Sequence, residues 1–222
     1  MLTWSKGING ENPKMADSVN LDALVPREDF LAMEGSDSGS AGKTSASRTD
    51  LLKGESFFLT LRKPDFQRET AAWKPEAVRD FIKAFIDGDL IPAVICWQSP
   101  SRLSFVIDGA HRLSAIIAWL NDDYGDGEAS IKFYNNNIQE EQRKLAQKTR
   151  DLINDSIGSY KDHKAETENP NSNPKLTAQA RALAHSVIPL LWVTGTDSSK
   201  AERAFLNINQ AAVQIDPTEL KI

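Results

Sequence analysis

The chain has 222 residues, of which 40% are hydrophobic and 26% charged, and its formal net charge at pH 7 is −5. This composition is typical of a globular protein with one sizeable core, and the acidic balance argues against a broad, sequence-independent DNA-binding surface. No apolar run reaches the ~20 residues that span a membrane, the first residues lack the apolar stretch of a secretory signal, and the single cysteine, Cys96, excludes an internal disulfide, so we expect a cytoplasmic protein.

The first fifty residues differ from the rest in composition. Residues 19–30 carry enough apolar side chains to dock as a short segment, whereas residues 35–47 are rich in glycine and serine and predict a flexible linker. We therefore expect residues 1–50 to form a flexible or loosely docked segment and residues 51–222 to form the globular domain. The Gly42-Lys43-Thr44 tripeptide is not a P-loop, because Asp37 stands where that pattern needs glycine.

Hydrophobic patterning predicts an alternation of strands and helices after residue 50. Strands are predicted at residues 57–61, 92–97, 103–107 and 187–193. Helices are predicted from Trp73 to about Gly88 and at residues 113–120, 139–156, 177–186 and 198–206, the last followed by a polar turn. Residues 159–174 are expected to form a loop.

Three local features refine these expectations. The turn at residues 99–101 favours a hairpin between the second and third strands, and Pro189 favours an edge position or a bulge for the last one. The acidic stretch at residues 121–127 resembles a calcium loop only superficially, since Tyr124 occupies a position that needs an oxygen ligand. We expect a solvated turn there.

The most informative segment joins the strand at residues 103–107 to the helix that follows. Its turn reads Asp108-Gly109-Ala110-His111-Arg112. Backbone N–H groups and the helix dipole point at such a turn, and Arg112 adds a positive charge, so an anion such as a nucleotide phosphate is the natural ligand. The alternative is an ordinary strand-turn-helix in which Arg112 forms a salt bridge.

Two further residues of this turn have competing interpretations. Asp108 holds Mg²⁺, a water or a ribose hydroxyl in the functional interpretation, and caps the helix in the structural one. His111 is a candidate proton shuttle, or a hydrogen-bonded structural residue.

Three motifs in a fixed order resemble a known superfamily. They are residues 64–68 (Pro-Asp-Phe-Gln-Arg) followed by Trp73, residues 108–115 (Asp-Gly-Ala-His-Arg-Leu-Ser-Ala), and residues 205–209 (Phe-Leu-Asn-Ile-Asn). Over residues 57–219 the chain is similar to the ParB/sulfiredoxin-like superfamily, in the DGQQR/DGQHR-signature branch that includes GmrSD-type restriction protein N-terminal domains and DndB-like proteins. The resemblance implies an α+β fold, a small mixed sheet with flanking helices.

The resemblance also implies which residues share the pocket. It places Gln67 and Arg68 beside the signature turn, and it makes the Asn207 and Asn209 amides candidates for reading a base; the alternatives are a surface loop and helix C-capping. Sulfiredoxin-like enzymes carry their nucleophilic cysteine where Ala110 stands, so sulfinic acid reduction is excluded here.

The resulting expectation is a nucleotide-binding domain, an NTPase or NTP-regulated module that uses an NTP with Mg²⁺ in DNA metabolism or defence against foreign DNA. Asp108 and His111 are the candidate catalytic residues. The candidate nucleotide ligands are Gln67, Arg68, Gly109, Arg112, Asn207 and Asn209. Two alternatives stay open: a non-catalytic module that binds DNA or senses its modification, with few phosphate contacts, and a metal-dependent nuclease built on Asp108. The resemblance further implies a nuclease domain or subunit as partner and a chain that is a fragment of a longer protein.

Overall fold

A mixed six-stranded sheet with helices packed on it organises the computed structural model, which describes residues 17–30, 42–67, 70–169, 173–195 and 198–211. The strands are β1 (Arg27–Glu28), β2 (Ser45–Ser47), β3 (Leu61–Pro64), β4 (Val94–Gln98), β5 (Ser104–Asp108) and β6 (Val187–Val193). The helices are α1 (Ser56–Thr60), α2 (Pro75–Asp87), α3 (Ala110–Asn121), α4 (Glu128–Phe133), α5 (Glu140–Ile157), α6 (Tyr160–Glu168), α7 (Pro174–Leu183) and α8 (Ser198–Ala211). This architecture confirms the predicted fold class.

The sheet has the strand order β1-β3-β5-β4-β6-β2. Strands β4 and β5 pair antiparallel, which confirms the predicted hairpin, whereas β3 lies parallel to β5 and β6 parallel to β4. The C-terminal end of β5 therefore lies at the same end of the sheet as the first residues of β4 and β6. The opposite end of the sheet holds the first residues of β5 and the last residues of β4 and β6.

Both faces of β5 are buried, which explains its unbroken apolar sequence. Val106 faces the main core, which is formed with α2 and α3, and Phe105 and Ile107 face a smaller cluster that includes Phe30 and Trp97 and packs against α8. Cys96 is fully buried in the main core, and burial raises the pKa of its thiol to about 12. Among the described residues, no helix is both long and apolar enough to cross a membrane.

The segment before residue 51 is part of this core. Five of its apolar side chains are buried there: Val19, Leu21, Leu24, Val25 and Ala46. The backbone N–H of Val19 donates to the Trp73 carbonyl at 2.8 Å, and β1 and β2 form the two edges of the sheet.

Three elements differ from the sequence predictions. The strand predicted at residues 57–61 is the helix α1, because only residues from Leu61 onward have strand partners in β1 and β5. The loop predicted at residues 159–174 contains α6, which begins with a capping box between Ser159 and Asp162. Helix α8 continues to Ala211, through the polar turn predicted after residue 206.

Two expectations for single residues were also wrong. Strand β6 lies between β4 and β2 rather than at an edge; Pro189 is tolerated because the ladder with β4 begins only at Leu190. The acidic turn is not simply solvated, since Asp123 is buried and accepts hydrogen bonds from Gly125, Gly127 and Ser130 that hold the start of α4.

Candidate functional site

The β5–α3 turn, residues 108–112, has the strand-turn-helix geometry that the sequence predicts. Gly109 is the N-cap of α3 with φ +91°, and no side chain caps the helix. The capping role considered for Asp108 is therefore not observed; its carboxylate instead accepts a hydrogen bond from Arg112 Nη2 at 2.5 Å. The first-turn N–H groups of α3 are left without a side-chain acceptor, as in an anion-binding helix terminus.

Arg112 folds back over the turn. Its Nη2 also donates to the Ala93 carbonyl at 3.2 Å, and its side chain is 18% exposed. A Cβ on Gly109 would lie 2.8 Å from Nη2, so the guanidinium occupies space that only glycine leaves open. The salt bridge of the alternative interpretation thus exists, although its acid belongs to the same turn.

His111 lies in the first turn of α3 and stacks on Trp73, with ring centroids 5.8 Å apart and planes inclined by 26°. Its Nε2 is buried and has no hydrogen-bond partner. Burial lowers the pKa of His111, and the Lys63 charge lowers it further, against the opposing carboxylates of Asp22 and Asp108. The imidazole is therefore neutral at pH 7 and retains an unused nitrogen.

Gln67 reaches the turn from the loop after β3. Its Nε2 donates to the Ile107 carbonyl at 3.2 Å, and its Oε1 is buried without a partner. Arg68 and the side chain of Asn209 lie outside the described residues. Asn207 is exposed in α8, and none of the described contacts joins it to the β5–α3 turn.

Unsatisfied polar atoms concentrate at this turn. The described residues contain six buried side-chain polar atoms without a hydrogen-bond partner, and four belong to Gln67, His111, Arg112 and Ser114. Each such atom costs about 1–3 kcal/mol, so proteins rarely keep several together without a use. The cluster marks the β5–α3 turn as the place where a polar ligand gains the most.

A buried ionic cluster beside the turn was missed by sequence reasoning. The Lys63 ammonium is fully buried, 2.5 Å from the Asp22 carboxylate and 2.9 Å from the Thr70 hydroxyl. Burial raises the pKa of Asp22, but the hydrogen bond and the charge of the Lys63 ammonium outweigh burial and hold this pKa below its ordinary value. Arg62 has an acidic partner as well, Glu28, so both of these neighbouring basic residues of β3 are paired with acids. Nothing local in the sequence connects residue 22 with residue 63.

Carboxylates are sparse around the turn. Among the described residues, no group of three or more His, Cys, Asp or Glu side chains could hold a metal ion. A Mg²⁺ ion held by Asp108, whose side chain is 39% exposed, would therefore need oxygen atoms from a bound molecule to complete its coordination.

Comparison with known proteins identifies the family. No curated protein and no solved structure matches the chain. Residues 49–221, more than three quarters of the chain, match the family model described as GmrSD restriction endonuclease, N-terminal domain. The match includes all three sequence motifs and connects the domain with restriction. The chain therefore belongs to the family of GmrSD restriction endonuclease N-terminal domains.

Proposed function

We propose that this domain binds a nucleoside triphosphate with Mg²⁺ at the β5–α3 turn and thereby serves a restriction system. The observation that carries the proposal is the uncapped N-terminus of α3 at Gly109, together with the buried and unpartnered polar atoms of Gln67, His111 and Arg112 beside it. A helix N-terminus that follows a glycine turn binds phosphate through its N–H groups and its dipole.

Arg112 is the proposed phosphate ligand among the side chains. Its guanidinium has donors beyond the Nη2 that Asp108 and Ala93 engage, and its Nε is unpartnered. A phosphate therefore shares Arg112 with Asp108 or displaces that carboxylate. Gln67 contributes the unpartnered Oε1, an acceptor suited to a ribose hydroxyl or a water.

Asp108 and His111 are the proposed catalytic residues if the nucleotide is hydrolysed. Asp108 is exposed enough to meet a Mg²⁺ ion or an attacking water beside the phosphates. Neutral His111 can accept a proton from that water at Nε2 in the tautomer that carries its own proton on Nδ1, because its lowered pKa keeps the ring neutral at pH 7 and Nε2 has no other partner.

The effector of restriction is assigned to a partner. A nuclease within this domain is disfavoured because the described residues contain no group of three or more His, Cys, Asp or Glu side chains that could hold its metal ion. A nuclease domain or subunit joined to this one would cut the DNA, and the nucleotide would regulate or drive that step.

The experiment is a thermal-shift and calorimetry panel of ATP, GTP, CTP and UTP with Mg²⁺. We expect at least one to bind with a Kd of about 1 mM or lower and to raise the melting temperature. Arg112→Ala should weaken binding by about 1.5–3 kcal/mol, the value of a hydrogen bond to a charged group. Arg79→Ala is the matched control, because Arg79 also pairs with a neighbouring aspartate, Asp80, but lies on α2.

Two outcomes contradict the proposal in different ways. Equal binding by wild type and Arg112→Ala would remove Arg112 as a phosphate ligand. If none of the four nucleotides binds, the turn serves instead as a DNA-contacting module, for which the acidic chain predicts a shallow salt dependence with fewer than about 4 phosphate contacts.

A further inference from the structure

A cavity lies at the end of the sheet opposite to the β5–α3 turn. Its volume is about 520 Å³, within the range of small-molecule sites. Gln98 at the end of β4 and Ser104 at the start of β5 line it, so the length of β5, roughly 13 Å at ~3.3 Å per residue, separates it from Asp108.

Aromatic rings form part of the cavity wall. Trp192 is held in place because its Nε1 donates to the Lys43 carbonyl at 2.6 Å and its ring packs on Gly42, where a Cβ would lie 2.3 Å from the ring. Phe57 is the second ring that lines the cavity. A fixed indole of this kind is a stacking surface for a flat ligand.

The polar groups of the cavity favour a neutral ligand with an N–H donor. The charged side chains that line it are two cations, Lys43 and Arg102, and two acids, Asp50 and Glu55, and Lys43 is paired with Asp50. This balance does not favour a phosphate. Gln98 Oε1, in contrast, is buried and has no donor to pair with.

We propose that this cavity, which is separate from the proposed phosphate site, binds a nucleobase, with Trp192 packing on the ring and Gln98 Oε1 accepting a hydrogen bond from an N–H group of the base. A nucleobase combines a neutral planar ring with ring or exocyclic N–H donors, as the aromatic wall and the unpaired acceptor require. The base comes either from a free nucleoside or from a nucleotide turned out of a DNA strand, a common way for proteins to inspect single bases.

The test is calorimetric titration with cytidine, adenosine and their dimethylamino analogues, and with a short single-stranded DNA. We expect Gln98→Leu to weaken binding about fivefold and Trp192→Ala about tenfold or more. Dimethylation of the exocyclic amine should weaken binding to the wild type by a similar factor as Gln98→Leu, but should have little further effect on that variant. Gln147→Leu, the same change at an exposed position of α5, is the control.

The outcomes separate the two sources and the failure of the proposal. Nucleoside binding that Gln98→Leu weakens supports a free ligand, and binding of DNA alone that the same variant weakens supports a base in a strand. The proposal is overturned if neither the nucleosides nor the single-stranded DNA bind, or if they bind equally well to the wild type, Gln98→Leu and Trp192→Ala. Should Trp192→Ala fail to fold, Gln98→Leu with the dimethylated analogues decides alone. Triphosphate affinity at the β5–α3 turn should not change in Gln98→Leu, so failure here is distinguishable from failure of the proposed function.

Discussion

Asp108 and Arg112 are four residues apart, and at the start of α3 they pair with each other. The pair is partly exposed, so it contributes no more than about 1 kcal/mol to stability. Under the proposed function its larger effect is on ligand binding, because the carboxylate would compete with an anion for the guanidinium and would repel that anion as well.

The variant Asp108→Asn separates these effects. Asparagine keeps the shape but loses the charge, so the free energy of unfolding should fall by less than about 1 kcal/mol. Affinity for a triphosphate without Mg²⁺ should rise, since Arg112 is released, whereas hydrolysis with Mg²⁺ should fall at least about tenfold. Calorimetry measures the affinity for the triphosphate, and a phosphate-release assay measures its hydrolysis. Full hydrolysis by a folded Asp108→Asn variant would refute a catalytic role for Asp108.

His111 gives the domain a predictable response to acid. Burial, with the nearby Lys63 charge, lowers its pKa below the ordinary value of 6.5, so the unfolded chain binds a proton more readily than the folded one. Stability should therefore be unaffected by His111 above about pH 6.5 and should decrease as the pH falls below that value.

Melting temperatures at pH 7.5 and 5.5 test this response. The decrease should be smaller in His111→Gln than in the wild type, and the remainder should come in part from His163, whose pKa burial also lowers. Asp22 does not interfere in this window, because its pKa is held below 3.8. An equal decrease in wild type and variant would mean that His111 titrates normally.

At the scale of elements, the β5–α3 connection depends on glycine for two reasons, the positive φ and the space that Arg112 fills. Gly109→Ala adds a steric contact to the backbone strain, whereas Gly54→Ala adds strain alone, since φ is +89° there and a Cβ would meet nothing within 4 Å. We expect Gly54→Ala to cost about 1–2 kcal/mol in the free energy of unfolding and Gly109→Ala clearly more. Denaturant titration gives both values. Equal losses would show that the Arg112 guanidinium moves aside without cost.

The elements that the sequence predicted well are those with strong local signals. The hairpin of β4 and β5, the amphipathic helix α2 and the glycine turn before α3 each have their cause within a few residues. Helix α1 was mistaken for a strand because its apolar run of Phe57 to Leu59 has no periodicity over so short a length, and only pairing with distant strands fixes where β3 begins. At the site, the motif located Gly109, Arg112 and Gln67, but not the pairing of Lys63 with Asp22, which depends on tertiary contact.

At the scale of the whole molecule, the family match begins at residue 49, yet the core begins earlier. The segment at residues 17–30 contributes four buried apolar side chains to the main core and Phe30 to the smaller cluster, together with the edge strand β1 and the carboxylate that neutralises Lys63. Burying each such apolar side chain is worth about 1.5–3 kcal/mol, and leaving a buried charge unpaired costs about 3–5 kcal/mol. Together these losses match or exceed the 5–15 kcal/mol by which a typical domain is stable.

A chain of residues 49–222 should therefore lack a cooperative unfolding transition, whereas a chain of residues 17–222, which retains these contacts, should unfold cooperatively. Circular dichroism during thermal and denaturant unfolding makes the comparison. Asp22→Asn in the full chain isolates the charge contribution and should destabilise it while leaving the apolar contacts of the segment in place. Cooperative unfolding of residues 49–222 would contradict this prediction, because it would mean that the family-matched region stabilises Lys63 and the exposed side of β3 without the segment that covers them.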